Sequence, residues 1–362
     1  MYVIKRDGRK ELLDITNISK QTREACEGLD GTSQEELELD AQILFKDGIK
    51  TEDIQQVLIQ TAVNKVDVDT PNWTYVAARL ALYDLYHKIK HLYNAQGSGD
   101  VYKKVTLKMY IDKNKDIFSN WYEKYTDEEI EELNTLIDCK KDLLFDYTGF
   151  ELLKGMYLAK NNGTISELPQ HMHMGIAMFN MQNEKKEKRL EYIKEYYYVL
   201  SNLKFINATP INSNARLKSG GLISCILLTV EDSLEEITNK WKEAALSSKI
   251  GSGLGIDVTR IRSIGSNINI NTNAAGGKIP FLKIFNDIAV AVDQSRRRPG
   301  AYAVYTEAWD LEIFDFMDLR KHNGDERRRA HDLFLGISYP DLLFKREQIN
   351  DDWTLFDPQD AK

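Results

Sequence analysis

Apolar positions fall into two regimes along the chain: up to about residue 205 they recur at helical spacing, and after Gly220 they gather in short unbroken runs between helical stretches. The chain opens on a β-like piece, Val3-Ile4-Lys5-Arg6, turning at Asp7-Gly8, and continues with helical patterns over Ile15 to Glu27, Gln34 to Phe45 and Thr51 to Val66. A further helix follows Asp69-Thr70-Pro71, where Pro suits a first helical turn, and runs to about Tyr93. The stretch Asn94-Ala95-Gln96-Gly97-Ser98-Gly99-Asp100 is polar and glycine-containing, as a domain boundary is. Residues 1–93 are therefore expected to form a small helical unit with a β cap, and 101–220 a second, mostly helical one. The charge runs Thr126 to Glu132 and Asn183 to Arg189 read as solvated helix faces.

Leu222-Ile223-Ser224-Cys225-Ile226-Leu227-Leu228-Thr229-Val230 has the length of a strand, and Glu231-Asp232-Ser233 then opens a helical pattern to about Ser248. Gly253 to Val258, a helix near Pro280 to Val292, Ala301 to Tyr305 and Leu333 to Ser338 continue the alternation. Apolar strands alternating with helices predict a parallel sheet buried on both faces over residues 221–362. There is no internal repeat.

Composition narrows the function more than the fold. A formal charge of −8 excludes a general nucleic-acid or acidic-membrane binder, which needs a net basic surface to displace counterions. No apolar run approaches the roughly 18 to 20 residues of a membrane span, and the first residues lack a signal-peptide core, so a cytoplasmic location is expected. The three cysteines, Cys26, Cys139 and Cys225, are odd in number and far apart, in no metal-ligand spacing. Any thiol chemistry must rest on one of them at a time.

Gly251-Ser252-Gly253-Leu254-Gly255 enters a strand instead of linking strand to helix, which disfavours a dinucleotide fingerprint and favours close backbone approach to a flat ligand. His171-Met172-His173-Met174 looks like a metal motif, but positions i and i+2 do not share a helix face, and core packing is the better reading. Ser295-Arg296-Arg297-Arg298-Pro299-Gly300 sets three guanidinium groups in a loop, either a basic surface turn or a phosphate and base contact. Asp232-Ser233 fits a helix N-cap, and a nucleotide phosphate beside that N-terminus is compatible with capping. Cys225, inside an apolar run, is expected to be a buried, inert thiol unless it is chemically used.

Taken together these segments resemble the large, catalytic subunit of class I ribonucleotide reductase over essentially the whole chain. The resemblance is carried by Ala208-Thr209-Pro210, Ser224-Cys225, Asp232-Ser233-Leu234, Gly253-Leu254-Gly255-Ile256, Arg260-Ile261-Arg262 with Gly265-Ser266, and Arg298-Pro299-Gly300-Ala301. Glu307-Ala308-Trp309, Asp318-Leu319-Arg320-Lys321 and Gly324 to Leu333 add to it.

The resemblance implies an α/β fold: an N-terminal helical ATP cone over 1–93, a helical domain over 101–220, and the incomplete first part of a ten-stranded α/β barrel over 221–362. Thr209, Ser224, Cys225 and Gly253 would contact a ribonucleoside diphosphate, and Cys225 would be one of the two thiols that reduce the ribose 2′-position and end as a disulfide. Asp232, Ser233, Leu234, Arg262, Asn269, Ser295 and Arg298 would form the specificity site for ATP or a deoxynucleoside triphosphate, with the loop Asp293 to Gly300 carrying the signal. Lys5, Arg6, Glu11 and Thr51 match the cone's nucleotide contacts, and Asp14, Asn17, Gln55 and His87 occupy contact positions with altered residue types. Mg2+ would accompany the nucleotides.

The family's finger loop with its radical-forming Cys, its second reducing thiol and its C-terminal Cys pair have no counterpart here. The resemblance therefore implies a split or truncated large subunit, inactive until a C-terminal part is supplied. Its partners would be that part, a radical-generating small subunit holding the radical cofactor, thioredoxin or glutaredoxin, and a second large subunit. The alternative is a non-catalytic, nucleotide-sensing regulatory fragment.

Overall fold

The computed structural model describes every residue except 6, 7, 96, 98, 293–299 and 362, and the side chain of residue 361. Two compact units divide the chain, Met1–Lys218 and Ser219–Lys362.

The first unit begins with a three-stranded sheet in which β1 (Tyr2–Ile4) pairs antiparallel with β2 (Lys10–Leu12) and parallel with β3 (Ile49–Lys50). The sequence announces only the first strand, whose consecutive apolar Tyr2-Val3-Ile4 precede a turn signal, whereas β2 and β3 carry one apolar residue each, Leu12 and Ile49. Around the sheet stand α1 (Ile15–Cys26), α2 (Gln34–Gln42), α3 (Thr51–Asn64) and α4 (Trp73–Leu92). Asp14 caps α1, accepting from Thr16 N at 2.9 Å, and Ser33 caps α2 from Glu36 N at 3.2 Å. The expected place of Pro71 in the first turn of α4 is corrected: the helix starts at Trp73, and Pro71 lies in the preceding turn, its carbonyl accepting from Thr74 N.

The unit continues through α5 (Val101–Lys104), α6 (Leu107–Asn114), α7 (Asp127–Asn134), α8 (Tyr147–Leu152), the hairpin β4 (Lys160–Asn161) and β5 (Thr164–Ile165), then α9 (Pro169–Met181), α10 (Lys186–Ser201) and α11 (Thr209–Asn214). One apolar core runs from Val3 through Leu85 and Met172 to Ala215, so the cone-like segment and the following helices share their packing. Helix α9 is buried from Pro169 to Met178. His171 stacks on Tyr110 with centroids 4.8 Å apart, His173 lies parallel to Phe145 at 6.5 Å, and burial pushes both imidazoles down to about 3. Both are neutral core aromatics.

Among the described residues of this unit two carboxylates are fully buried, Glu167 and Asp142. Glu167 is held by Arg216, with Nε and Nη2 each 2.5 Å from a carboxylate oxygen, by Ala159 N at 2.7 Å and by the Tyr110 hydroxyl. Asp142 accepts from Tyr86 Oη at 2.5 Å, Tyr102 Oη at 2.7 Å and Gln170 Nε2 at 2.7 Å. Burial nevertheless pushes the Asp142 carboxyl up from 3.8 to about 6. A raised carboxyl contributes stability that is full below about pH 4 and lost as the pH rises through about 6, a difference on the order of 3 kcal/mol. Urea unfolding at stepped pH should therefore show Asp142→Asn varying less between pH 4 and 6 than the parent chain. Superimposable profiles would mean that Asp142 does not titrate there.

The second unit is built on four parallel strands in chain order, β6 (Cys225–Thr229), β7 (Gly253–Asp257), β8 (Tyr302–Glu307) and β9 (Leu333–Ser338). Helices α12 (Leu234–Lys249) and α13 (Ile279–Ala291) belong to the crossovers, and α14 (Ile313–Met317) and α15 (Asp341–Gln348) follow β8 and β9. The expectation of a sheet buried on both faces is corrected. Leu228, Leu254, Ile256, Tyr302, Val304 and Leu333 pack with Ile237, Ala244, Leu282 and Phe285 of the helices, but Cys225, Leu227, Thr229 and Phe334 on the opposite face are exposed. When consecutive strands are spatial neighbours, crossovers of one hand bring their helices to one side, as in the wall of a barrel and unlike a doubly wound sheet. The expected strand Leu222 to Val230 also shortens to Cys225–Thr229, because Leu222 and Ile223 lie exposed before the ladder begins.

Candidate nucleotide and thiol sites

Within the first unit a cavity of about 1060 Å3 opens between α1, the start of α3 and the length of α4. Lys5, Glu11, Asp14, Asn17, Thr51, Gln55 and His87 all line it, while Arg6 lies outside the described residues. The backbone explains the convergence. Ile4 pairs with Lys50, so the end of β1 sits beside the start of α3, and Glu52 of that first turn meets Lys88 of α4 at 3.2 Å. Gln21 Nε2 reaches Gln55 Oε1 at 2.9 Å, tying α1 to α3, and Gln55 Nε2 reaches Leu80 O at 2.9 Å, tying α3 to α4.

Sequence reasoning missed Arg9, Lys20, Arg79, Tyr83, Lys90 and Lys140, which line the same cavity. A signal for part of this set was present: Arg79, Tyr83 and Lys90 recur at three- to four-residue multiples on α4, one helix face with cations at both ends. The carboxylates of the lining are engaged. Glu11 meets Lys5 at 3.4 Å and Arg9 at 3.2 Å, Asp14 caps α1, and Asp84 meets Lys88 at 2.9 Å. Glu24 accepts from Tyr83 Oη at 3.0 Å, and burial together with that carboxylate raises the phenol. Lys50, the residue before α3, gives that helix no side-chain cap, leaving its first-turn N–H groups available to an anion at the cavity rim.

A second group lies at the head of the parallel sheet. Cys225 is the first residue of β6 and pairs in register with Gly253 of β7, whose N–H donates to Ser224 O at 2.6 Å. The Ser224 hydroxyl stands 3.5 Å from Cys225 Sγ. The expectation of a buried Cys225 is corrected: the thiol is exposed, because alternation along β6 assigns it, with Leu227, to the face that no helix covers. Gly253 and Gly255 keep that face shallow, and Leu227 lies over Gly255 where a Cβ would otherwise stand. Thr209, in the first unit, opens α11 with its hydroxyl 3.4 Å from Tyr157 Oη.

A third group joins two expected effector residues. Arg262 donates through Nε to Asp232 Oδ2 at 2.8 Å, its backbone N–H reaches Asp232 Oδ1 at 3.1 Å, and Nη1 reaches Asn267 O at 2.7 Å. Asp232 thus orients the guanidinium. Ser233 caps α12, accepting from Glu236 N at 3.2 Å, and Leu234 is exposed beside it. Asn269 sits in the loop after Asn267 with φ +54°, a left-handed conformation that Asn tolerates. Ser295 and Arg298 lie outside the described residues.

The chain thus follows a helical unit holding a large cavity with a parallel sheet that carries an exposed thiol, and known proteins show the same order of domains. Residues 1–88 match the ATP cone domain, 143–220 the all-alpha domain of ribonucleotide reductase, and 223–362 its barrel domain. The chain belongs to the ribonucleotide reductase large-subunit family. It is 48% identical over 365 residues to the ribonucleoside-diphosphate reductase subunit alpha of Helicobacter pylori, covering 99% of this chain and 44% of that protein. Its counterpart in Synechocystis sp. is 35% identical (100% and 46% covered), and ribonucleoside-diphosphate reductase 1 subunit alpha of Escherichia coli is 32% identical (100% and 47% covered). The chain thus spans less than half the length of these relatives.

Proposed function

We propose that this chain acts as part of a ribonucleoside-diphosphate reductase large subunit, reducing ribonucleoside diphosphates to deoxyribonucleoside diphosphates in the cytoplasm under nucleotide control. It would work with the rest of the subunit, a small subunit bearing the radical cofactor, thioredoxin or glutaredoxin as reductant, and a second large subunit. The observation that carries the reading is the convergence of all the described cone residues, drawn from the residue after β1, from β2, the start of α1, α3 and α4, on one cavity large enough for a nucleoside triphosphate with its Mg2+. In this assignment Lys5 meets phosphate near the start of α3, Asp232 holds Arg262 toward the phosphates of a specificity effector, and Ser224, Cys225 and Gly253 face the substrate. Cys225 would give one of the two thiols oxidised to a disulfide as the ribose 2′-hydroxyl leaves as water. The cavity alone would suit a purely regulatory fragment equally well, and the exposed Cys225 favours the catalytic reading.

Calorimetric titration of the full chain with ATP and with dATP tests the cavity. Binding should weaken with added salt and fall roughly tenfold in Lys5→Ala, the low end for a charge-assisted contact because Lys5 is partly exposed. A chain that binds neither nucleotide would overturn the assignment.

A further inference from the structure

The nucleotide cavity extends beyond the segment that matches an ATP cone. Residues 89–142 lie outside all three family matches, yet Lys90, His91, Asp100, Cys139 and Lys140 line its wall. We propose that Lys140 is a phosphate-binding residue of this cavity, contributed from outside the cone and directed at the terminal phosphates of a nucleoside triphosphate. The proposal rests on the reading of the cavity as a nucleotide site.

Lys140 belongs to a tight 3-10 turn, Cys139–Leu144, that is fixed from both sides. Asp138 caps the turn by accepting from the backbone N–H of Lys140 at 2.9 Å. Asp142, two residues on, is clamped in the interior by Tyr86, Tyr102 and Gln170. Tyr86 is itself a cavity residue on α4, so the clamp holds the turn against the cavity wall one helical turn from Lys90. His87, next to Tyr86, completes the link to the start of α3, because its neighbour Lys88 bridges to Glu52.

The same contacts place the cations. Lys90 and the turn of Lys140 lie along the C-terminal half of α4, and Lys5 follows β1 beside the uncapped start of α3, all three lining the cavity, whereas Arg79 in the N-terminal half of α4 gives its guanidinium to the carbonyls of Ala25 and Glu27. The terminal phosphates, the most highly charged part of the ligand, belong at the first end. Among the described residues the Lys140 ammonium has no ion pair, so it can take a phosphate without first giving up a carboxylate. A side chain on an anchored backbone segment loses little further freedom on binding, which favours a net gain from the contact. Residues 1–93 alone would then present an incomplete site.

The test is calorimetric titration of the full chain and of Lys140→Ala and Lys140→Arg with ATP, AMP and adenosine. Lys140→Ala should weaken ATP roughly five- to twentyfold and change AMP and adenosine less than about twofold, while Lys140→Arg keeps most of the ATP affinity. Because Lys140 is exposed, the urea midpoint of Lys140→Ala should match the parent chain, which separates a lost contact from a damaged fold. Unchanged ATP affinity, or an equal loss for ATP and adenosine, would overturn the proposal. If Lys5→Ala weakens ATP and Lys140→Ala does not, this inference alone fails; if the parent chain binds no nucleotide, it falls together with the reading it rests on.

Discussion

Arg216→Ala lowers the stability of the first unit by about 3 to 5 kcal/mol, the expected cost of stranding a buried carboxylate. Arg216 and Glu167 are both fully buried, and the guanidinium also donates to Asn212 O at 2.6 Å and Tyr157 O at 2.7 Å. Its removal leaves two carbonyls and an anion without their strongest donor, and the remaining donors, Ala159 N and the Tyr110 hydroxyl, do not neutralise the charge. Adding Glu167→Gln to Arg216→Ala should recover part of the loss, since the second change removes the uncompensated charge. The urea midpoint, with amide exchange over α9 and α11, measures this. A loss under about 1 kcal/mol would mean that water reaches Glu167 once the arginine is gone.

Cys225→Ser, in a full-length subunit assembled with its small subunit, should abolish turnover while leaving ATP affinity at the cavity unchanged. A hydroxyl is nearly the size of a thiol but cannot be oxidised to a disulfide, so in the proposed role the reducing equivalents for the ribose 2′-position would be lost. The contrast between the two readouts carries the weight. Cys225 is exposed on the sheet's open face, away from the packing of the second unit, so a general unfolding effect is not expected from this substitution. Turnover equal to that of the parent enzyme would return Cys225 to an incidental position on a strand.

Long helical segments were legible because apolar residues recur through them at helical spacing: α1, α3, α4 and α13 end within two residues of their expected bounds. The paired strands β2 and β3 were not, since a single apolar residue in each, Leu12 and Ile49, gives no strand signal. The covering of the parallel sheet also escaped a local reading. An apolar strand has the same pattern whether helices cover one face or both, and only the order of strands in space decides, as Leu227 shows by being apolar and 83% exposed. Of the cavity's lining the sequence named only residues within the first 93, because motif resemblance is local. Lys140 escaped for the opposite reason: it comes near Tyr86 through a buried carboxylate, a contact that no spacing encodes.

The order β6-β7-β8-β9 has a consequence for how the second unit is assembled. Each strand pairs with the one made immediately before it, through closures of roughly 30 to 50 residues, so no strand waits for a distant partner. A chain emerging from the ribosome can lay the sheet down by addition, every crossover helix docking as soon as its strand is in place. The edge that receives the next strand is always the one most recently formed.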